Sequence, residues 1–368
     1  MRIAFYAPLK PPDHETPSGD RRVARLLIDA LRLAGHEPVL ASHLRSFDPI
    51  GRAFRQKKIA AHGRQAAERL IARWRARPDS APGLWFTYHL YYKAPDWLGP
   101  AVSAALGIPY VVAEASFAPK RGGGPWDIGH QAVEAALRSA DLLIGLNTAD
   151  REGVLPLLSH PDRFATLPPF LDASAYGLSR ETANGPARLI TVAMMRPGDK
   201  LASYRVLGEA LGKLTDLDWS LDVVGDGPAR AEVHAALAPL GQRVAYAGAL
   251  AEPQIAERLA EADIFVWPAI NEAFGMALLE AQASGLPVVA GSSGGVGDIV
   301  AHGVSGLLAP PGDADAFAAA LRTLLADPAR VAAMGEAARD KVRREHDLPA
   351  AAARLADLIA ALNRAHAA

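Results

Sequence analysis

The sequence predicts an α/β chain of two doubly wound (Rossmann-like) parallel-sheet domains facing across a cleft, on three observations. Short apolar runs alternate with helix-length stretches along the whole chain. The alternation breaks once, in a segment rich in Pro, Gly, Ser and Asn. The punctuation of the two halves also matches, ALGIPYVVA at 105–113 against ASGLPVVA at 283–290. Strands alternating with helices specify a parallel sheet covered on both faces, and ligands of such sheets bind outside the carboxyl ends of the strands.

The first series of expected strands is 3–7, 38–41, 84–88, 110–113, 142–146 and 164–167. After the first of them, Val23, Leu26, Leu27, Ala30, Leu31 and Ala34 fall at the i, i+3, i+4, i+7 spacing of an amphipathic helix. The second series is 189–193, 221–224, 244–247, 264–267, 288–290 and 306–309. Between the series, PPFLDASAYGLSRETANGP lacks either period and reads as a linker. The expected boundaries are a first domain at 1–170, a linker at 171–186 and a second domain at 187–345. A C-terminal helix at 346–368 is expected to cross back to the first domain.

Composition bounds the function. At 368 residues with 50% hydrophobic content the chain suits two domains rather than one core. A formal net charge of −1 offers no electrostatic argument for a nucleic-acid partner. The absence of cysteine excludes disulfides and thiolate metal sites and fits a cytoplasmic location. The start, MRIAFYAPLKPPD, reads as a first strand rather than a secretory signal, and no apolar run reaches membrane-spanning length.

The stretch 271–295, NEAFGMALLEAQASGLPVVAGSSGG, sets Glu272 and Glu280 around an apolar segment. In a helix starting near Ala273, eight residues rise about 12 Å, so the two carboxylates cannot act on one atom. They suit a long ligand touched at two places. Amides around Phe274, Gly275 and Met276, at the positive end of the helix dipole, would attract a phosphate. Hydroxyls at both ends and a phosphate between describe a nucleotide sugar, with Glu272 on the sugar and Glu280 on the ribose. The bland alternative is a first-turn carboxylate and a surface residue.

The run from 271 to 313 resembles the signature region of family 4 retaining glycosyltransferases of the GT-B fold, E-x-F-G-x-x-x-x-E-A-x-A-x-G-x-P-V-V. LDVVGDGPARAEV at 221–233 and PSGDRRVARLLIDALRLAGHEP at 17–38 resemble further segments of that family in its order. The resemblance implies that Glu272 lies beside the donor sugar and Glu280 holds the ribose. It implies that Gly19 lets the first loop approach the diphosphate, with Ser18 where the family has a second glycine. An Arg and a Lys clamp the diphosphate in the family, the Lys five residues after the Arg. In AMMRPGDKLAS the candidates Arg196 and Lys200 are four apart. Gly225, Gly248 and Gly295 are further donor-side candidates, at turns that follow expected strands. In the first domain Glu114 stands where the family puts a histidine or acid, serving donor sugar, acceptor or a local cap, and His89 is a second candidate. No tightly held metal or other cofactor is implied, the nucleoside diphosphate sugar being a substrate.

Rival signals are weighed on chemistry. GSSGG at 291–295 fits the G-x-S-x-G of serine hydrolases around Ser293, with Asp298 and His346 following, but only one expected strand comes after it. GDGPAR at 225–230 lacks the third glycine of a dinucleotide fingerprint. Asp313 and Asp315 read as helix-start residues rather than metal ligands. The segment that opens on Arg45 and ends on Arg77 carries ten Arg or Lys against Asp48 and Glu68. It is a solvated face or, with Leu70, Ile71 and Trp74 at helical spacing, a surface for an anionic membrane. The reading is a retaining glycosyltransferase acting on a glycan or lipid-linked acceptor. Its alternatives are a non-catalytic nucleotide-sugar binding protein and, behind it, a serine hydrolase.

Overall fold

Twelve strands are present among the described residues, one at each expected run, because strands buried on both faces carry continuous apolar sequence. The computed structural model describes residues 1–16, 18–148, 151–177, 185–272 and 275–367. The chain divides into two units, Met1–Pro168 with Leu348–Ala368, and Pro169–Asp347.

In the first unit the strands are β1 (Arg2–Tyr6), β2 (Glu37–Leu40), β3 (Leu84–Leu90), β4 (Tyr110–Ala115), β5 (Leu142–Gly145) and β6 (Phe164–Thr166). They form one sheet in the order β2-β1-β3-β4-β5-β6 with every pair parallel. Its helices are α1 (Gly19–Leu33), α2 (Ala53–Ala76), α3 (Gly99–Leu106), α4 (Asp127–Ser139) and the single turn α5 (Arg151–Val154). Buried Asp96 fixes the passage from β3 to α3 by accepting hydrogen bonds from the Leu98 and Gly99 amides (2.8 Å each) and the Tyr110 hydroxyl (3.0 Å).

Helix α2 corrects one expectation. Trp74 is buried edge-on to Trp85 (centroids 6.4 Å apart), and Leu70 and Ile71 pack against the same core. That stripe therefore cannot face a membrane. Gln56, Ala60, Gly63, Ala67 and Trp74 form the buried face, and a Cβ on Gly63 would lie 2.3 Å from the Trp97 Cβ. The exposed face carries Lys58, Arg69 and Arg73, and Phe54 near its start is 82% exposed.

In the second unit the strands are β7 (Ala187–Val192), β8 (Trp219–Val224), β9 (Val244–Gly248), β10 (Ile264–Trp267), β11 (Val288–Gly291) and β12 (Gly306–Ala309), in the order β12-β11-β10-β7-β8-β9. All pairs are again parallel. The helices are α6 (Asp199–Gly212), α7 (Arg230–Leu237), α8 (Glu252–Glu261), α9 (Met276–Ala283), α10 (Val296–Ile299), α11 (Ala314–Leu325) and α12 (Pro328–Lys341). The last helix, α13 (Leu348–Ala367), packs on α1 and belongs to the first unit.

The start of the expected linker is part of the second unit. Leu171 and Tyr176 are buried in its core, because apolar side chains interrupt the loop-like composition there. Leu171 also bridges to Asp347, and its amide donates to the His346 carbonyl (2.9 Å).

His346, 1% exposed, pins this junction. One ring nitrogen, Nδ1, lies 2.7 Å from the Pro169 carbonyl and the other, Nε2, lies 2.6 Å from Lys341 Nζ. An ammonium can only donate and a carbonyl only accept, so the ring is neutral with its proton on Nδ1. Burial, reinforced by the Lys341 charge, pushes His346 down to about 4. Between that value and the ordinary value near 6.5, the unfolded chain binds a proton that the folded one refuses. Stability from this group is complete above about pH 6.5 and falls as the pH drops toward 4. Urea unfolding at pH 7 and pH 4.5 is expected to show a gap between wild type and H346Q that shrinks by on the order of 2 kcal/mol at the lower pH. Parallel losses would assign the acid sensitivity elsewhere.

Candidate active site

The carboxyl end of β10 brings the main candidates together. Beyond Trp267 the chain turns through Ala269 (φ +53°) and Asn271 (φ +55°), a left-handed backbone that costs non-glycine residues on the order of 1–3 kcal/mol each. Helix α6 holds that turn: the Ile270 amide donates to Ser203 Oγ (3.0 Å) and Asn271 Nδ2 to Asp199 Oδ2 (3.4 Å). The turn carries Glu272 back over the strand end. There its Oε2 accepts from Trp267 Nε1–H (3.2 Å) and pairs with the Lys200 ammonium.

Lys200 lies in the first turn of α6, where the helix dipole disfavours a cation. The Glu272 carboxylate offsets that, and the Trp267 ring lies under the ammonium at 5.4 Å. Tyr204 meets Trp267 edge-on at 5.1 Å, and its hydroxyl donates to the Ala193 carbonyl (2.9 Å). Trp267 and Tyr204 were missed in the sequence. The available signal was an aromatic residue closing a strand directly before Pro268 in the signature region.

The helix of the signature region starts later than expected. Gly275, at φ +67°, precedes α9, and this left-handed residue stops the helix from extending back toward Ala273. Glu272 therefore stands on the loop and Glu280 alone on the helix. A Cβ on Gly275 would lie 2.7 Å from Leu278 Cδ1, so the tight entry needs glycine. Met276 is the first helical residue, Phe274 lies outside the described residues, and Glu280 is 4% exposed. Burial removes the reading of Glu280 as a surface residue.

The other donor-side candidates are scattered around the same sheet edge. Arg196 is exposed on the loop between β7 and α6, where its carbonyl accepts from the Leu201 amide (3.1 Å). A Cβ on Gly225 (φ +142°) would lie 2.0 Å from the Ala193 carbonyl oxygen, and one on Gly227 would lie 2.3 Å from that of Met195. These glycines let the β8 turn press against the β7 loop. Gly248 (φ +71°) closes β9 with open space around it, and Gly295 caps the short α10.

In the first unit, His89 (φ +63°) and Glu114 (φ +58°) stand at the carboxyl ends of β3 and β4, both left-handed. His89 Nδ1 is 3.0 Å from Asp20 Oδ1 and 3.7 Å from Glu114 Oε1. The hydrogen bond from His89 holds the Asp20 carboxyl below its ordinary range, while burial beside Glu114 raises the Tyr88 phenol well above its own. Asp20 was also missed, although it directly follows Gly19 at the start of α1. Ser18 caps that helix, its Oγ accepting from the Arg21 amide (3.3 Å), and a Cβ on Gly19 would meet nothing within 4 Å. The hydrolase constellation fails on geometry, since both ring nitrogens of His346 are engaged by Pro169 and Lys341.

Residues 190–341 match the family model described as Glycosyl transferases group 1. The fold is that of HepE from Anabaena, solved in complex with UDP-glucose, at a TM-score of 0.68 over 98% of this chain and 100% of that one, with 17% sequence identity. The chain has the GT-B fold, and its second unit carries the glycosyltransferase match. Sulfoquinovosyl transferase SQD2 of Arabidopsis thaliana is 33% identical over 145 residues, 39% of this chain and 28% of that protein. A GDP-mannose-dependent alpha-(1-6)-phosphatidylinositol monomannoside mannosyltransferase of Mycolicibacterium smegmatis is 35% identical over 151 residues, 39% of this chain and 40% of that protein. The chain thus spans less than half the length of these curated relatives.

The close approach at Gly225 bears on stability. Gly225→Ala forces a Cβ against backbone and strains a left-handed residue, so it is expected to destabilise the protein by about 2 kcal/mol or more. Gly248→Ala, with open space, is expected to cost less. Equal thermal unfolding of the two variants would contradict the packing role.

Proposed function

We propose that this protein is a family 4 glycosyltransferase that moves a sugar from a nucleoside diphosphate sugar to a glycan or lipid-linked acceptor with retention of anomeric configuration. The observation that carries the reading is the Glu272 carboxylate held between Lys200 and Trp267 at the end of β10, with Glu280 buried on the helix that follows. As the sugar–phosphate bond breaks, positive charge grows at the sugar and negative charge on the diphosphate. Lys200 and Arg196 meet the second charge in place of a resident metal, and Glu272 faces the first. Glu280 accepts from the ribose, while Gly225, Gly248, Gly275, Met276 and Gly295 offer backbone to the donor. Gly19, with Ser18 before it, lets the first loop approach the diphosphate, and Glu114 serves the donor sugar or the acceptor.

The two glutamates are expected to behave differently. Glu280→Ala removes binding common to ground and transition states and weakens free nucleoside diphosphate and donor together. Glu272→Ala lowers kcat by on the order of a hundredfold while free nucleotide still binds. A thermal-shift screen of UDP, GDP, ADP and TDP identifies the nucleotide, and initial rates with its sugars follow. Full turnover by Glu272→Ala would sink this assignment, and binding without turnover of any donor would favour a non-catalytic binding protein. Labelling of Ser293 by a fluorophosphonate would favour a hydrolase.

We further propose peripheral contact with anionic lipid through α2. The exposed basic residues Lys58, Arg69 and Arg73, with exposed Phe54 near the start of the same helix, support it, as does the phosphatidylinositol-linked acceptor named for the mycobacterial relative. Each basic residue near such a surface contributes roughly 1 kcal/mol, so reversing these three to Glu is expected to abolish salt-sensitive vesicle binding. Wild-type indifference to vesicles rich in anionic lipid at low salt would refute the contact.

A further inference from the structure

We infer that Trp267 is the positioning residue of the donor site, setting the Glu272 carboxylate with its indole N–H and the Lys200 ammonium with its ring face. The inference rests on the donor reading of Glu272 and Lys200 given above.

Three contacts converge on this side chain. Its N–H reaches Glu272 Oε2 (3.2 Å), its face lies 5.4 Å from Lys200 Nζ, and its edge geometry with Tyr204 (5.1 Å, 76°) fixes the ring plane. Tyr204 is itself anchored, through its hydroxyl, to the carbonyl of Ala193 on the β7 loop. Trp267 is 3% exposed and ends β10, so it is a rigid post rather than a mobile side chain. The residues it steers are less constrained: Lys200 has a long flexible stem, and Glu272 sits on a loop.

The arrangement also says what the pair does before a donor arrives. Glu272 and Lys200 neutralise each other, so neither is left as an unpaired, half-buried charge. An incoming diphosphate brings more negative charge to Lys200 than one carboxylate does. The ammonium is expected to swing to the phosphate oxygens, and among the described side chains the indole N–H then remains to hold Glu272. Without that hydrogen bond the carboxylate loses its orientation at the stage when the sugar needs it.

Two substitutions separate the two contributions. Trp267→Phe keeps a ring for Tyr204 and Lys200 but removes the N–H, so kcat is expected to fall about tenfold while nucleoside diphosphate affinity stays within about twofold. Trp267→Leu removes both and is expected to weaken nucleoside diphosphate binding as well. The indole also gives a readout independent of turnover: nucleoside diphosphate should change tryptophan emission in the wild type and markedly less in Trp267→Phe. Unchanged kcat in a folded Trp267→Phe, with wild type active, overturns the inference even though the donor reading stands. If the wild type binds no nucleoside diphosphate and turns over no donor, the donor reading itself fails. Should Trp267→Leu not fold, the phenylalanine variant and the emission titration still decide.

Discussion

Every strand in each sheet runs in one direction, and that constraint determines where chemistry is possible in this molecule. Parallel strands are joined by helices that cover both faces, so apolar side chains fill the layers and the loops that follow the strands all leave at a single edge. The four non-glycine residues with positive φ among the described residues, His89, Glu114, Ala269 and Asn271, all lie at such carboxyl edges. A backbone strained by on the order of 1 kcal/mol or more at each position persists only where its surroundings over-determine it. Here the surroundings are hydrogen bonds to α6 in one unit and the Asp20–His89–Glu114 cluster in the other.

The ion pair between Lys200 and Glu272 follows from the same constraint. Helix α6 must begin at this edge, and Lys200 is in its first turn, so a cation sits at the positive end of a helix. The turn after β10 returns a carboxylate to it. With side chains 28% and 16% exposed, the pair is partly screened and adds little to global stability. Its consequence is local: two charged groups are held ready at one point, and the indole that holds them is packed into the sheet.

Much of this was legible in the sequence because the relevant signals are local and repetitive. Each apolar run became a strand, since burial on both faces leaves no polar alternation to confuse the reading. The less legible features depend on geometry that composition does not encode. Trp74 looked like part of an exposed apolar stripe, yet the buried side of α2 is built largely from small residues, and the close approach at Gly63 draws the helix inward. The helix after Glu272 began later than its propensity suggested because Gly275 adopts a left-handed conformation. Trp267 and Asp20 escaped because their importance lies in partners far along the chain, Lys200 for one and His89 for the other.

Glu280 shows why burial and function have to be argued together. Helix α9 has Leu278, Leu279, Ala281 and Ala283 buried around it, so it is enclosed by protein rather than amphipathic. A carboxylate in such a helix carries a desolvation cost of several kcal/mol that only charged or hydrogen-bonded partners offset. An apolar residue of similar volume would carry no such cost, so packing alone gives no reason for an acid here. Glu272, on its loop, is paired with Lys200 even before any ligand is considered. On the proposed reading the two acids therefore differ in kind. One is an ionic partner that the donor must redirect, and the other is a buried acceptor that meets the ribose from an enclosed helix.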